Sequence, residues 1–181
     1  YPSLTIFASI LPLYFVATSS EYRLSRIETW LSRKCDLGID LLGDCFQLNQ
    51  SRIAISSGGL FGLGPGTSRA RWGSLPNSYS DFISSIIGEE YGFFGLFLLV
   101  LAFFILISTT FLIAIREKNE IKKLISVGFG SWIFFQTVIN LGGAVGIVPI
   151  TGIVLPFVSY GSSAMISIFI ALGIMYSRDY E

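Results

Sequence analysis

Asp81 stands between a polar stretch, LPNSYS, and an apolar run, FISSII. A carboxylate placed where a loop meets an apolar segment is partly desolvated, which suits it to take a proton near neutral pH. The same position fits a helix N-cap, because Asp ahead of an apolar run commonly starts a helix. The two roles are compatible, since a helix start also collects negative charge, phosphate included. Glu89 and Glu90 follow, just ahead of Gly92, where a break is expected. If the intervening segment is helical, Glu89 lies about two turns beyond Asp81 in the same broad sector. That permits a metal held by Asp81 and Glu89; an interfacial pair of solvated acids accounts for Glu89 and Glu90 equally simply. Upstream, Gly58, Gly59, Gly62, Gly64 and Gly66 form the tract GGLFGLGPG. Glycines let backbone amides approach a phosphate closely. No GK[ST] follows, so this is not a nucleotide P-loop, and a tight surface loop explains the glycines as well. Arg69 and Arg71 come directly after; guanidinium forks match pyrophosphate oxygens. Trp72 suits an interfacial anchor.

Composition narrows the chemistry. Histidine is absent from the 181 residues, which excludes imidazole catalysis, Ser-His triads and His-ligated metal within this chain. Acid–base work falls to Asp, Glu, Lys or Tyr, and any metal would be an oxygen-held divalent cation, Mg or Mn. Net charge is zero, so nothing suggests bulk attraction to nucleic acid. Apolar residues make up 52% of the chain and charged ones 13%, with a mean hydropathy of +0.68. That is the profile of a membrane protein. The chain is expected to be the C-terminal part of a larger membrane protein, because it opens at Tyr1 without a charged leader.

The elements that must position these residues are apolar runs near the roughly 20 residues a span requires. They lie at 3–19, 93–115, 124–148 and 163–176. All are expected to be helices, because an isolated strand leaves its backbone unsatisfied in lipid. The fold class is therefore an all-α polytopic membrane protein with about four transmembrane helices. Three parts follow: a span at 1–19, a long extracytoplasmic loop at 20–92, and three spans within 93–181. The loop opens with EYRLSRIETWLSRK, which places Leu24, Ile27 and Leu31 on one helical face. It reads as an amphipathic helix lying on the membrane surface or packed on the loop. Arg116, Lys118, Lys122 and Lys123 crowd the connection between the second and third spans, the 149–162 connection has no charge, and Arg178 follows the last span. The positive-inside rule puts the basic connection and the C-terminus in the cytoplasm, and the long loop outside. Segment 149–162 is apolar but broken by Pro149, Gly152, Pro156 and Gly161, and reads as a re-entrant or cavity-lining turn. On the third span Gln136 and Asn140 share a face at i, i+4. Helix–helix hydrogen bonding and lining of a substrate cavity are both open to them. Cys35 and Cys45 form either a disulfide or two free thiols.

Two motifs carry a family resemblance: QSRIAISSGGLFGLGPGTSRARWGSLPNSYSDFISSIIGEEYGFFG, and NLGGAVGIVPITGIVLPFVSYGSSA at residues 140–164. In their order and separation, the chain resembles the SEDS family of shape, elongation, division and sporulation proteins (FtsW, RodA, SpoVE). SRARW and IIGEE are closer to the FtsW branch. Ser162 stands where the family usually has a second glycine after SYG, Ser84 where a phenylalanine is usual after DFI, and NSYS where an acidic residue often follows LP.

The resemblance implies the last four helices of a ten-helix bundle in the bacterial cytoplasmic membrane. It also implies a peptidoglycan glycosyltransferase that polymerises lipid II, the undecaprenyl-pyrophosphate-linked disaccharide peptide, during cell division. Implied partners are a class B penicillin-binding protein and other division proteins. The family's essential aspartate maps onto Asp81. In the inverting reaction Asp81 would be the base or hold a divalent cation. Arg69, Arg71 and the amides of Gly58, Gly59 and Gly62 would offset pyrophosphate charge. Gln136, Asn140, Ser159 and Tyr160 would line the polar side of the cavity. A lipid II flippase, or a scaffold recruiting the penicillin-binding protein, are the alternative functions.

Overall fold

The computed structural model describes residues 21–36 and 45–176; the expected span at 3–19 and Arg178 lie outside them. Two compact units result, Tyr1–Asn49 and Gln50–Glu181. In the first, helix α1 (Glu21–Leu31) forms where the sequence predicts it. Leu24 and Ile27 are half-buried, whereas Leu31 is exposed. Cys35 and Cys45 are joined in a disulfide, which decides between the two cysteine readings. Arg26 Nη2 donates to Gln47 Oε1 at 2.9 Å. Helix α2 (Phe46–Ser57) carries the chain into the second unit.

There the described residues form three apolar helices, α3 (Ile83–Arg116), α4 (Glu120–Val145) and α5 (Ser162–Tyr176). No strand occurs among the described residues. By length and composition α3 and α4 can each cross a membrane; α5 is a shorter apolar helix. Asn119 caps α4 by accepting from the amides of Ile121 and Lys122, and Gly146 ends it in the left-handed region at φ 87°. That glycine takes the conformation an L-residue resists, and its amide satisfies the carbonyls of Gly142 and Gly143. Gly130 brings α4 close to α3: a Cβ there would lie 3.3 Å from the Thr110 methyl and 3.4 Å from the Phe111 ring. Small residues at such crossings are the usual means of helix association in lipid. Phe103, Phe129, Ile133, Leu155, Ile168 and Met175 form the interhelical core. A groove of about 510 Å³ also opens between α3 and α4 and is mainly apolar, with Phe103, Phe104, Phe134 and Phe135 among its walls. A second core, of Ala54, Ala70, Leu75, Phe82 and Ala144, packs the later part of the long loop against the end of α4.

Helix α3 starts at Ile83, ahead of the apolar run expected from residue 93. Its first turns carry Ser84, Ser85, Gly88, Glu89 and Glu90, all buried; too polar to read as a span, they are helical because they pack on the loop. The break comes at Gly92, with a non-helical φ of 66° and ψ of −159°, where α3 kinks between two helical stretches. An unbroken helix would pair the amides of Phe93 and Phe94 with the carbonyls of Glu89 and Glu90. Here those amides donate instead to Gly59 and Leu60, and the amides of Leu63 and Gly64 take up the carbonyls of Glu89 and Glu90. The glycine loop is thus spliced into the ladder of α3. Such an approach of backbone to backbone leaves no room for side chains. A Cβ at Gly58 would collide with the Gly88 carbonyl, one at Gly62 with that of Glu90, and one at Gly92 with the amide of Gly62.

Gly62 and Gly59 offer a matched comparison, since both have positive φ (81° and 54°) but only Gly59 has open space around its Cβ position. Gly59→Ala is expected to cost about 1 kcal/mol, the left-handed penalty alone. Gly62→Ala adds overpacking and should cost about 3 kcal/mol. Thermal midpoints of the two purified variants check this; equal shifts would mean that the crossing is not the constraint.

Candidate active site

The stretch LPNSYSD does not cap α3. Asn77 adopts φ 54°, a region asparagine tolerates better than most residues. Its carbonyl accepts from the amides of Ser80 (3.2 Å) and Asp81 (3.0 Å), closing a turn. The N-cap of α3 falls to Phe82, with no side-chain cap bond. The cap reading of Asp81 is therefore corrected: the turn at Asn77 already engages its backbone.

Three successive carbonyls of this turn are held by one neighbourhood. Tyr79 O accepts from the Tyr160 amide at 3.0 Å, Ser80 O from Ser159 Oγ, and Asp81 O from Asn140 Nδ2 at 2.9 Å. Ser159 Oγ also accepts from the Leu155 amide at 2.8 Å. Asn140 Nδ2 donates a second time, to Ile153 O at 2.7 Å. One turn earlier on α4, Gln136 Nε2 donates to Val154 O at 2.9 Å. The polar pair of α4 therefore does not bond another helix. It satisfies carbonyls of the broken segment 149–162, whose irregular backbone cannot satisfy itself. Asn140 Oδ1 and Gln136 Oε1 stay buried and unpartnered among the described residues.

The Asp81 side chain is half-buried and has no hydrogen-bond or ion-pair partner among the described residues. It borders a pit of about 10 Å³ with Phe82, Asn140, Gly143, Ile150 and Gly152, which is room for one water molecule. Gly152, at φ 72°, faces it: a Cβ there would stand 3.5 Å from Asp81 Oδ2. The sequence marks Gly152 only as a break, and nothing in the local pattern foretells that contact.

Glu89 and Glu90 are not solvated acids; they are 2% and 7% exposed. Both oxygens of Glu89 are engaged: Oε2 accepts from Ser68 Oγ at 2.6 Å and from the Ala70 amide at 3.2 Å, and Oε1 from the Arg69 amide at 3.0 Å. These donors belong to a strap at 68–72 that contains a 3₁₀ turn, Ala70–Trp72. Arg69 and Arg71 are exposed on it. The Arg71 guanidinium lies over the rings of Trp72 (5.6 Å) and Tyr79 (5.9 Å). Among the described residues no group of three or more His, Cys, Asp and Glu side chains could hold a metal.

The structure thus gathers Asp81, Asn140 and Ser159 at one place, with Gln136 one turn away. Tyr160 joins through its backbone, while its side chain is 85% exposed. Gly58 and Gly62 serve the crossing at α3, and the Gly62 amide is taken by the Gly58 carbonyl at 2.8 Å. Sequence reading missed Ser51, buried between helices: its hydroxyl pairs with Ser85 Oγ at 2.7 Å and donates to Ala144 O at 2.6 Å. Arg52 Nε beside it donates to Val145 O at the end of α4.

The chain is similar to known proteins along nearly its whole length. The family model FtsW/RodA/SpoVE, described as cell cycle protein, matches residues 2–181. A "Probable peptidoglycan glycosyltransferase FtsW" from Wigglesworthia glossinidia brevipalpis is 37% identical over 175 residues, covering 95% of this chain and 45% of the relative. Stage V sporulation protein E of Bacillus subtilis is 40% identical over 165 residues, covering 88% of this chain and 44% of the relative. Among solved structures, one from the work "Structural coordination of polymerization and crosslinking by a peptidoglycan synthase complex" matches with a TM-score of 0.64 at 26% identity, over 96% of this chain and 46% of that one. The chain spans a little under half the length of these relatives. By motif order, helical architecture and similarity along nearly its whole length, the chain belongs to the FtsW/RodA/SpoVE family.

Proposed function

We propose that this chain supplies the outer loop and last helices of a peptidoglycan glycosyltransferase that joins lipid II units into glycan strands at the bacterial division site. Asp81 is the general base that takes the proton of the attacking sugar hydroxyl. One observation carries that choice. Of Asp81 and Glu89, the two acids singled out for chemistry, Glu89 has its oxygens committed to the strap, while the Asp81 carboxylate is unengaged among the described residues. The Asp81 backbone is nonetheless fixed through both its amide and its carbonyl. A base whose main chain is locked and whose carboxylate is free meets the demand for preorganisation. Because the pit beside it admits only about one water, the saccharide meets Asp81 from the outer side.

Arg69 and Arg71 would pair with the pyrophosphate of the bound lipid and offset its charge from binding onward. In the alternative role, Asp81 would instead hold a divalent cation, Mg or Mn, together with water and phosphate oxygens, the usual ligands of such hard cations; the cation would supply charge neutralisation at the leaving group. Glu89, with three donors already on its oxygens, is the weaker ligand. The basic connection between α3 and α4 supports an external loop by the positive-inside rule, in a multi-pass protein of the cytoplasmic membrane with about ten helices. The family resemblance supports a class B penicillin-binding protein as partner.

In the full-length protein, Asp81→Asn should lower lipid II polymerisation at least a hundredfold and leave the thermal midpoint nearly unchanged. Wild-type turnover in that variant removes Asp81 from the reaction, and transbilayer movement of lipid II without polymer replaces the enzyme with a flippase. Asn140→Leu strips the donor from the carbonyls of Asp81 and Ile153. It is expected to cost about 2 kcal/mol and to lower both the thermal midpoint and the polymerisation rate. An unaltered midpoint would show that the two carbonyls do not need it.

A further inference from the structure

We infer that Glu89 is a positioning residue: its carboxylate sets the strap that presents Arg69 and Arg71 to the substrate's pyrophosphate. This rests on the function proposed above. Arg69, the N-cap residue of the 3₁₀ turn Ala70–Trp72, makes no side-chain cap bond, so the amides of Arg69 and Ala70 need an acceptor from elsewhere. Glu89, twenty residues along the chain from Arg69, provides it. One carboxylate takes the amides of Arg69 and Ala70 and the hydroxyl of Ser68. Ser68 Oγ in turn accepts from the Arg71 amide at 3.1 Å. The main chain of both arginines is therefore referred to one buried group, directly at Arg69 and through Ser68 at Arg71.

The strap is fixed on its other side as well. The Arg71 guanidinium lies over the Tyr79 ring, and Tyr79 Oη reaches the Arg71 carbonyl at 3.4 Å. Tyr79 is two residues before Asp81 and its own carbonyl is held by the Tyr160 amide. The strap and the Asp81 turn are thus linked through Tyr79, while Arg69 and Arg71 stay exposed. Exposed cations on a backbone held by hydrogen bonds suit capture of the substrate's pyrophosphate, an interaction made in the bound substrate as well as in the transition state and therefore read in KM. An ionised carboxylate has only acceptors to offer, which matches this donor set. A carboxamide at 89 would keep one acceptor and turn an NH₂ group toward N–H donors.

The test uses full-length protein and steady-state polymerisation at varied concentrations of a polyprenyl-pyrophosphate-linked disaccharide. Glu89→Gln should raise KM about tenfold while kcat falls less than about threefold. Glu89→Asp, which keeps the carboxylate, should recover part of the loss. In an Arg69→Ala/Arg71→Ala background the further effect of Glu89→Gln should be below about twofold, because it acts through those side chains. A loss confined to kcat, or one that multiplies in the arginine-free background, overturns the assignment. If Glu89→Gln does not fold, Ser68→Ala removes the hydroxyl that links Glu89 to the Arg71 amide, leaves the amides of Arg69 and Ala70 on the carboxylate, and should raise KM about threefold; an unchanged KM overturns the assignment equally. Binding of polyprenyl pyrophosphate alone separates this inference from the reaction. Weakened binding in Glu89→Gln supports the strap even if Asp81→Asn were to polymerise normally, and undiminished binding refutes it even where polymerisation requires Asp81.

Discussion

A carbonyl outside a helix needs a donor wherever water is scarce, and the candidate site is built on three that find one. The consecutive carbonyls of Tyr79, Ser80 and Asp81 are met by the Tyr160 amide, the Ser159 hydroxyl and the Asn140 carboxamide. Those donors come from α4 and from the broken segment that follows it. Asn140 joins the two, because the same amide nitrogen also holds Ile153. Left without partners, buried groups of this kind cost roughly 1–3 kcal/mol each. The turn that carries Asp81 is therefore placed by the need to satisfy its backbone, and its side chain has no part in the placement.

Two acids on one stretch of chain have opposite surroundings. Glu89 is buried beneath amide donors, whereas Asp81 is half-buried with its carboxylate unengaged among the described residues. That difference separates a group that organises structure from one available for proton transfer, and it comes from the partners each acid meets across the fold.

Much of the helical frame was legible from hydrophobicity. The apolar runs expected at 124–148 and 163–176 correspond to α4 and α5 within a few residues. The start of α3 was not legible, because its first turns are rich in serine, glycine and glutamate. Those turns owe their helicity to packing against a loop distant in sequence, which no local window contains. Gln136 and Asn140 showed by their spacing that they share a face, but not that their partners are loop carbonyls. Glu89 looked like a surface acid because its donors lie 19 to 21 residues upstream. The pairing of Cys35 with Cys45 was likewise undecided, since proximity in space cannot be read from two letters. Asp81 drew attention for its boundary position, but the turn at Asn77 that keeps it out of the helix needed the backbone to be seen.

The ladder exchange at Gly92 has a bearing on how this region comes apart. Because Leu63 and Gly64 hold the carbonyls that Phe93 and Phe94 relinquish, neither the loop nor the top of the helix can fray alone without stranding the other's backbone groups. Their opening is a single cooperative event, so a surface loop that its glycines would otherwise make floppy shares the rigidity of a helix end.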